Sequence, residues 1–138
     1  MTDCFEHKVD ARGRIFIPSD LREELGESFH VMILNEKCIN AYNDAGWRRF
    51  MDKAESLSIR LQPKMRAIFA NASKCELDSQ GRFLLPQKLR ERAGITKDVT
   101  VIGAGTLVQI WDTETYNEVN EKESTLEHLN ALLDELDF

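Results

Sequence analysis

Three arginines carry the most specific chemical possibility in this chain. Arg12 and Arg14 follow Asp10 by two and four residues with Gly13 between them, and Arg82 follows Asp78 by four with Gly81 just before it. In such a segment the carboxylate can accept from nearby backbone N–H groups and the glycine can take positive φ, so each reads as a tight turn displaying an arginine. Two chemistries are open to an arginine so placed. It can pair with the aspartate and close the turn. Alternatively, held on a rigid support, it can offer its planar fork to the O6 and N7 acceptors of guanine while neighbours such as Lys8 and Lys74 meet phosphate. In either case Asp10, Gly13, Asp78 and Gly81 shape the turns.

Other chemistries find little support. Cys4-x-x-His7 offers two metal ligands without a second pair, and His30, Cys38, Cys75 and His128 are scattered. Zinc needs three or four converging ligands, so no metal or other cofactor is expected. Gly103-Ala104-Gly105 invites a phosphate-loop reading, but an apolar strand pattern, Leu107 to Trp111, follows where a helix N-terminus is required. A hairpin turn is the expectation there. No Gly-x-Ser-x-Gly occurs, and Glu23-Glu24 reads as solvated charge, so neither catalytic residues nor a small-molecule substrate are expected.

The elements that must position the arginines come in duplicate. Positions 10 to 26 recur at 78 to 94 with no gap, sharing Asp, Gly, Arg, Pro, Leu, Arg, Glu and Gly, eight of seventeen positions. Each copy reads as an arm, a strand and a short helix. Ile15-Phe16-Ile17 and Phe83-Leu84-Leu85 are unbroken apolar triplets, the pattern of a strand covered on both faces. Pro18 and Pro86 suit a first helical turn, and Gly26 and Gly94 the position past the helix end. Phe29 to Leu34 and Cys38 to Tyr42 read as a hairpin across Asn35-Glu36-Lys37. Asp44 is placed to cap an amphipathic helix carrying Trp47, Phe50, Met51, Ala54 and Leu57, and Pro63 to open a second with Met65, Ile68, Phe69 and Ala72 inward. After the second copy, Thr113 starts a last helix. Ser124-Thr125-Leu126-Glu127 has a capping-box pattern, and Leu126, Leu129, Leu132, Leu133 and Leu136 form one stripe that needs burial.

At 138 residues and 42% apolar composition, the chain suits one shared core better than two independent half-length ones, so the copies should pack on each other. Net charge is −6, but residues 112 to 138 hold nine acids against one lysine, leaving +2 for the rest. Residues 60 to 100 alone hold nine Lys or Arg against four acids. Affinity for phosphate follows the potential at the contact face, so the acidity weighs only weakly against a polyanion. No apolar run approaches the roughly 18 residues needed to span a bilayer, and three widely spaced cysteines suit a reducing compartment. A cytoplasmic protein with Cys38 and Cys75 as buried small hydrophobes is expected.

These residues resemble the MraZ family, whose members carry two copies of the SpoVT-AbrB swapped-hairpin motif. The resemblance rests on Asp-x-x-x-Arg at Asp10 to Arg14 and Asp78 to Arg82, on Ile-Pro-x-x-Leu-Arg and Leu-Pro-x-x-Leu-Arg after them, and on Ile110-Trp111. It covers residues 5 to about 116. Asp3-Cys4 stands where the family usually has Gly-Glu, and Tyr116 where a Trp is common. The resemblance implies an α+β fold in which two swapped-hairpin halves form one pseudo-symmetric, barrel-like unit with peripheral helices: residues 5–47, a helical linker 48–72, residues 73–116, and an acidic helical tail 117–138. It further implies a nucleoid-associated regulator that binds double-stranded DNA at short direct repeats upstream of the division and cell-wall gene cluster. Such a protein assembles as a ring-shaped homo-oligomer. The base-reading role then falls to Arg14, Arg82 and Arg12, with Gln80 at the place of Arg12 in the second copy making the arms unequal. The alternative is a protein-binding module of the antitoxin type, holding its partner through the acidic tail.

Overall fold

The computed structural model describes residues 1–34 and 36–138. The first copy supplies β1 (Cys4–Lys8), β2 (Arg14–Phe16), α1 (Ser19–Leu25), β3 (Ser28–Met32) and β4 (Ile39–Tyr42). The second supplies β5 (Ser73–Glu76), β6 (Arg82–Leu84), α4 (Gln87–Arg92), β7 (Asp98–Ala104) and β8 (Leu107–Asp112). Between them lie α2 (Asp44–Glu55), a 3-10 turn (Gln62–Met65) and α3 (Arg66–Ala70), and α5 (Thr113–Glu123) and α6 (Leu126–Glu135) follow. The hairpin expected across Asn35-Glu36-Lys37 is present as antiparallel β3 and β4, though Asn35 itself lies outside the described residues.

Strand pairing interleaves the copies. One six-stranded antiparallel sheet runs in the order β1-β7-β8-β4-β3-β5, and β2 and β6 form a separate two-stranded ribbon. The first strand of each copy thus pairs with the third strand of the other, Phe5 opposite Val101 and Phe29 opposite Cys75. Reading the sheet from either edge gives the same order of equivalent strands. The two strands flanking each aspartate turn therefore do not pair with each other, as an ordinary hairpin would. The expected barrel is corrected as well: the sheet is open. Its two ends, β1 and β5, have no further strand neighbour among the described residues, and β2 and β6 do not bridge them, being three residues long and paired only with each other.

One core results. Ile15, Ile17, Leu21 and Leu25 of the first copy pack in a single cluster with Phe83, Leu85, Leu89 and Ile110 of the second, and Phe29 meets Phe83 edge to face at 5.1 Å. Local signals sit a residue from their expected places. Pro18 and Pro86 occupy the N-cap, with ψ of 145° and 130°, rather than the first helical turn. Asn43, not Asp44, caps α2 by accepting from the Gly46 N–H, because Asp44 is already helical. Thr125, not Ser124, caps α6 through the His128 N–H. Phe69, expected inward, is exposed. The leucine stripe of α6 is not covered within the chain: its five leucines are 44% to 74% exposed. Among the described residues no helix is long and apolar enough to cross a membrane.

Candidate nucleic-acid interface

Both aspartate turns are built alike. Asp10 Oδ1 accepts from the backbone N–H of Arg12 and of Arg14, each at 2.9 Å, and Oδ2 accepts from Arg14 Nε at 2.7 Å. Asp78 Oδ1 accepts from the N–H of Gln80 at 2.9 Å and of Arg82 at 3.0 Å, and Oδ2 from Arg82 Nε at 3.1 Å. Gly13 and Gly81 donate back to the Asp10 and Asp78 carbonyls with φ of +79° and +77°. These bonds and angles involve Asp10, Gly13, Asp78 and Gly81. The Arg14 backbone hydrogen bond, ahead of the other donors, holds the Asp10 carboxyl below its usual range, and the Arg82 backbone bond does the same for Asp78.

The pairing of β2 with β6 then brings the two turns together. Arg14 Nη1 stands 4.0 Å from Asp78 Oδ2, and Arg82 Nη1 stands 4.0 Å from Asp10 Oδ2. These crossed separations are too long for hydrogen bonds. Each guanidinium is thus anchored at Nε by its own aspartate, with Nη1 within ion-pair range of the opposite aspartate and the side chain 26% exposed for Arg14 and 28% for Arg82. Turn closure engages Nε, and among the described residues the terminal nitrogens of Arg14 and Arg82 make no hydrogen bond.

Two arginines and two aspartates sum to no charge, so the sign of the face is set by their neighbours. Arg12 is exposed at the first turn tip and Gln80 at the second. Arg22 and Arg90, the arginines of the two Leu-Arg pairs, were not singled out from the sequence, yet each packs on the turn of the other copy. A Cβ on Gly81 would meet the Arg22 guanidinium, and one on Gly13 would lie 2.9 Å from Arg90 Nη1. Arg22 also donates from Nε to the Ile17 carbonyl at 2.6 Å and lies 4.8 Å from the Phe16 ring centroid. The signal was present in the recurrence of Leu-Arg, but only the crossing of copies reveals what it touches. Lys8 ends β1 beside the first turn, 3.9 Å from Asp98 Oδ1, with its side chain exposed. Lys74 is exposed on β5 opposite His30, four residues before Asp78, so the two lysines are not related by the duplication.

The ribbon has two different faces. Ile15 and Phe83 point into the core, whereas Arg14, Phe16, Arg82 and Leu84, alternate residues on directly paired positions, share the outward face. The second apolar triplet is therefore covered on one face only, a correction: Leu84 is 63% exposed, whereas Phe16 in the first is half-buried. Elsewhere, Cys38 and Cys75 are buried as expected, and burial pushes their thiols up to about 12 and about 11. Gly103 and Ala104 extend β7, and Ala104 pairs with Leu107 across Gly105-Thr106, a hairpin turn as expected.

The protein is thus a duplicated α+β scaffold with two aspartate-anchored arginines on one ribbon. The family model described as "MraZ protein, putative antitoxin-like" matches residues 1–66 and 68–135. Relatives named transcriptional regulator MraZ include one from Heliobacterium modesticaldum, 40% identical over 121 residues and covering 86% of this chain and 85% of its own. Another, from Thermoanaerobacter sp., is 38% identical over 138 residues, covering 97% and 96%, and one from Carboxydothermus hydrogenoformans is 41% identical over 116 residues, covering 82% and 81%. The chain belongs to the MraZ family.

Proposed function

We propose that this protein is a transcriptional regulator that binds double-stranded DNA through the outward face of the β2–β6 ribbon. The observation that carries the reading is the anchoring of Arg14 and Arg82 at Nε by Asp10 and Asp78, which fixes two part-exposed guanidinium groups on one ribbon. The B-form major groove admits a two-stranded ribbon, and an arginine fork matches guanine O6 and N7. Anchoring lowers the entropy lost on binding. In this reading Arg14, Arg82 and Arg12 read base edges, Gln80 makes the second arm an unequal reader, and Lys8 and Lys74 meet phosphate. The interleaved first strands are what a fused pair of swapped SpoVT-AbrB hairpins requires, one chain standing for a dimer. The names of the relatives support regulation of transcription.

The finer reading follows the family. The targets are short direct repeats upstream of the division and cell-wall gene cluster, and the protein acts on the nucleoid in the cytoplasm. The exposed leucines of α6, together with half-exposed α2 and α3, go between copies of the chain. A protomer with unlike ends makes a heterologous contact, which closes as a ring and lets several weak arm pairs engage successive repeats. The exposed acidic tail also favours a second reading, an antitoxin-type surface that holds a partner protein.

Fluorescence anisotropy on duplexes from upstream of the protein's own gene, at graded salt, tests the proposal. Affinity should fall steeply with salt. Arg14→Ala should lose about 1 to 3 kcal/mol and flatten discrimination between operator and mutated operator, whereas Lys8→Ala should weaken all DNA alike. Unchanged discrimination in a folded Arg14→Ala protein would sink the base-reading role, and absence of salt-sensitive binding would leave the antitoxin-type reading.

A further inference from the structure

The outward face of the ribbon carries one side chain that neither anchoring nor charge explains. Leu84 is 63% exposed, directly opposite Arg14 in the β2–β6 register and two residues from Arg82 on the same face. Its counterpart in the first copy, Phe16, is treated differently. Phe16 is half-buried beneath His7, with ring centroids 5.0 Å apart, and beneath Arg22 at 4.8 Å. The residue 68 positions after His7 is Cys75, which points into the core. The second copy therefore has no ring to cover Leu84. Arg90, the counterpart of Arg22, ends near Leu84, since a Cβ added to Gly13 would be 2.9 Å from Arg90 Nη1 and 3.8 Å from Leu84 Cδ1, yet Leu84 stays exposed.

We propose that Leu84 reads the C5-methyl group of a thymine in the major groove, next to the guanine read by Arg14. This rests on the DNA-binding reading of the ribbon above. The methyl group is the one apolar feature on the major-groove edges of the four base pairs, and an aliphatic side chain is the chemistry that recognises it. Spacing fits as well. Side chains directly opposite across an antiparallel pair are about 4.5 to 5.5 Å apart at Cβ, and successive bases rise about 3.4 Å, so Arg14 and Leu84 fall on neighbouring base pairs. An arginine alone does not select the base beside its guanine. A leucine at its side favours thymine over cytosine there, and because Phe16 is covered, only one of the two arms does so.

The test is a scan in which each thymine of the bound duplex is replaced, one at a time, by deoxyuridine, which lacks only that methyl. Removing one buried methyl is worth about fourfold in Kd. Wild-type protein should show that loss at one thymine per bound repeat, adjacent to a guanine whose substitution costs more. Leu84→Ala should bind thymine and uracil there equally, and Leu84→Met should keep the preference. Because Leu84 contributes little to the core, both variants should retain the wild-type melting temperature. Binding by the wild type with a flat uracil scan overturns the assignment while leaving the DNA-binding reading intact. A uracil loss of the same size in Leu84→Ala also overturns it, since another group would then touch the methyl. Failure of the wild type to bind the unmodified duplex would remove the DNA-binding reading and this assignment together.

Discussion

Gly81→Ala interrogates the coupling between the two copies, and Gly105 supplies its internal control. Both glycines have φ of +77°. A Cβ on Gly105 meets nothing within 4 Å, whereas one on Gly81 would stand 2.6 Å from Arg22 Nε. Gly105→Ala therefore carries only the left-handed backbone cost of about 1 to 2 kcal/mol, offset by about 0.4 to 1 kcal/mol from the lower entropy of the unfolded chain. Gly81→Ala carries both of these and must also displace Arg22 from the Ile17 carbonyl and from Phe16. A charged hydrogen bond at a half-exposed site contributes about 1 kcal/mol, and the cation–π contact about 0.5 to 1 kcal/mol. Gly81→Ala should thus be destabilised by about 1.5 to 2 kcal/mol more than Gly105→Ala. Urea unfolding of the two variants, with and without Arg22→Ala, closes the cycle, and the excess should vanish once Arg22 is gone. Equal costs in the two glycine variants, or an excess that survives Arg22→Ala, would refute the claim that Arg22 buttresses the second arm.

Three further outcomes follow from the same geometry. The Asp10 and Asp78 carboxyls are held low in the folded protein, first by backbone donors, so their contribution is complete above the ordinary carboxylate pKa of about 3.9 and is lost as pH falls through the folded values. The stability advantage of wild type over Asp10→Asn/Asp78→Asn should be constant from pH 7 to 5 and shrink below about pH 4; an advantage that persists undiminished in acid would contradict it. A thiol reagent at pH 8 should find Cys4 in the native protein and reach Cys38 and Cys75 only on denaturation, since the last two are buried with raised pKa values; three native thiols would be the wrong answer. Sedimentation without DNA should show one discrete species several times 15.9 kDa, and Leu129→Glu/Leu133→Glu should dissociate it. A stable wild-type monomer at micromolar concentration would remove the avidity argument.

What the sequence made legible was local. The bounds of α1 were readable to within a residue because Pro18 and Gly26 punctuate it, and the aspartate turns were readable because every bond lies within four positions in sequence. Pairing was not, because nothing within a copy states that Phe5 will lie opposite Val101 rather than across its own turn. The barrel expectation failed at that level: with β2 and β6 spent on each other, the ends of the sheet stay apart. Burial on one side of Leu84 was missed because an apolar triplet reads the same in a buried strand and in a two-stranded ribbon with one free face. Arg22 and Arg90 were visible as a repeat, but the turn that each packs on lies in the opposite copy. Charge bookkeeping was informative once divided, since the acids concentrate in α5 and α6.

A footprint on the DNA upstream of the protein's own gene tests the central claim most directly. Short protected blocks should recur at a regular interval, be retained at moderate salt, and be lost when Arg14→Ala and Arg82→Ala are combined in a protein that remains folded. Absence of protection at concentrations where the oligomer is formed, or protection that the double variant leaves as it was, would contradict it.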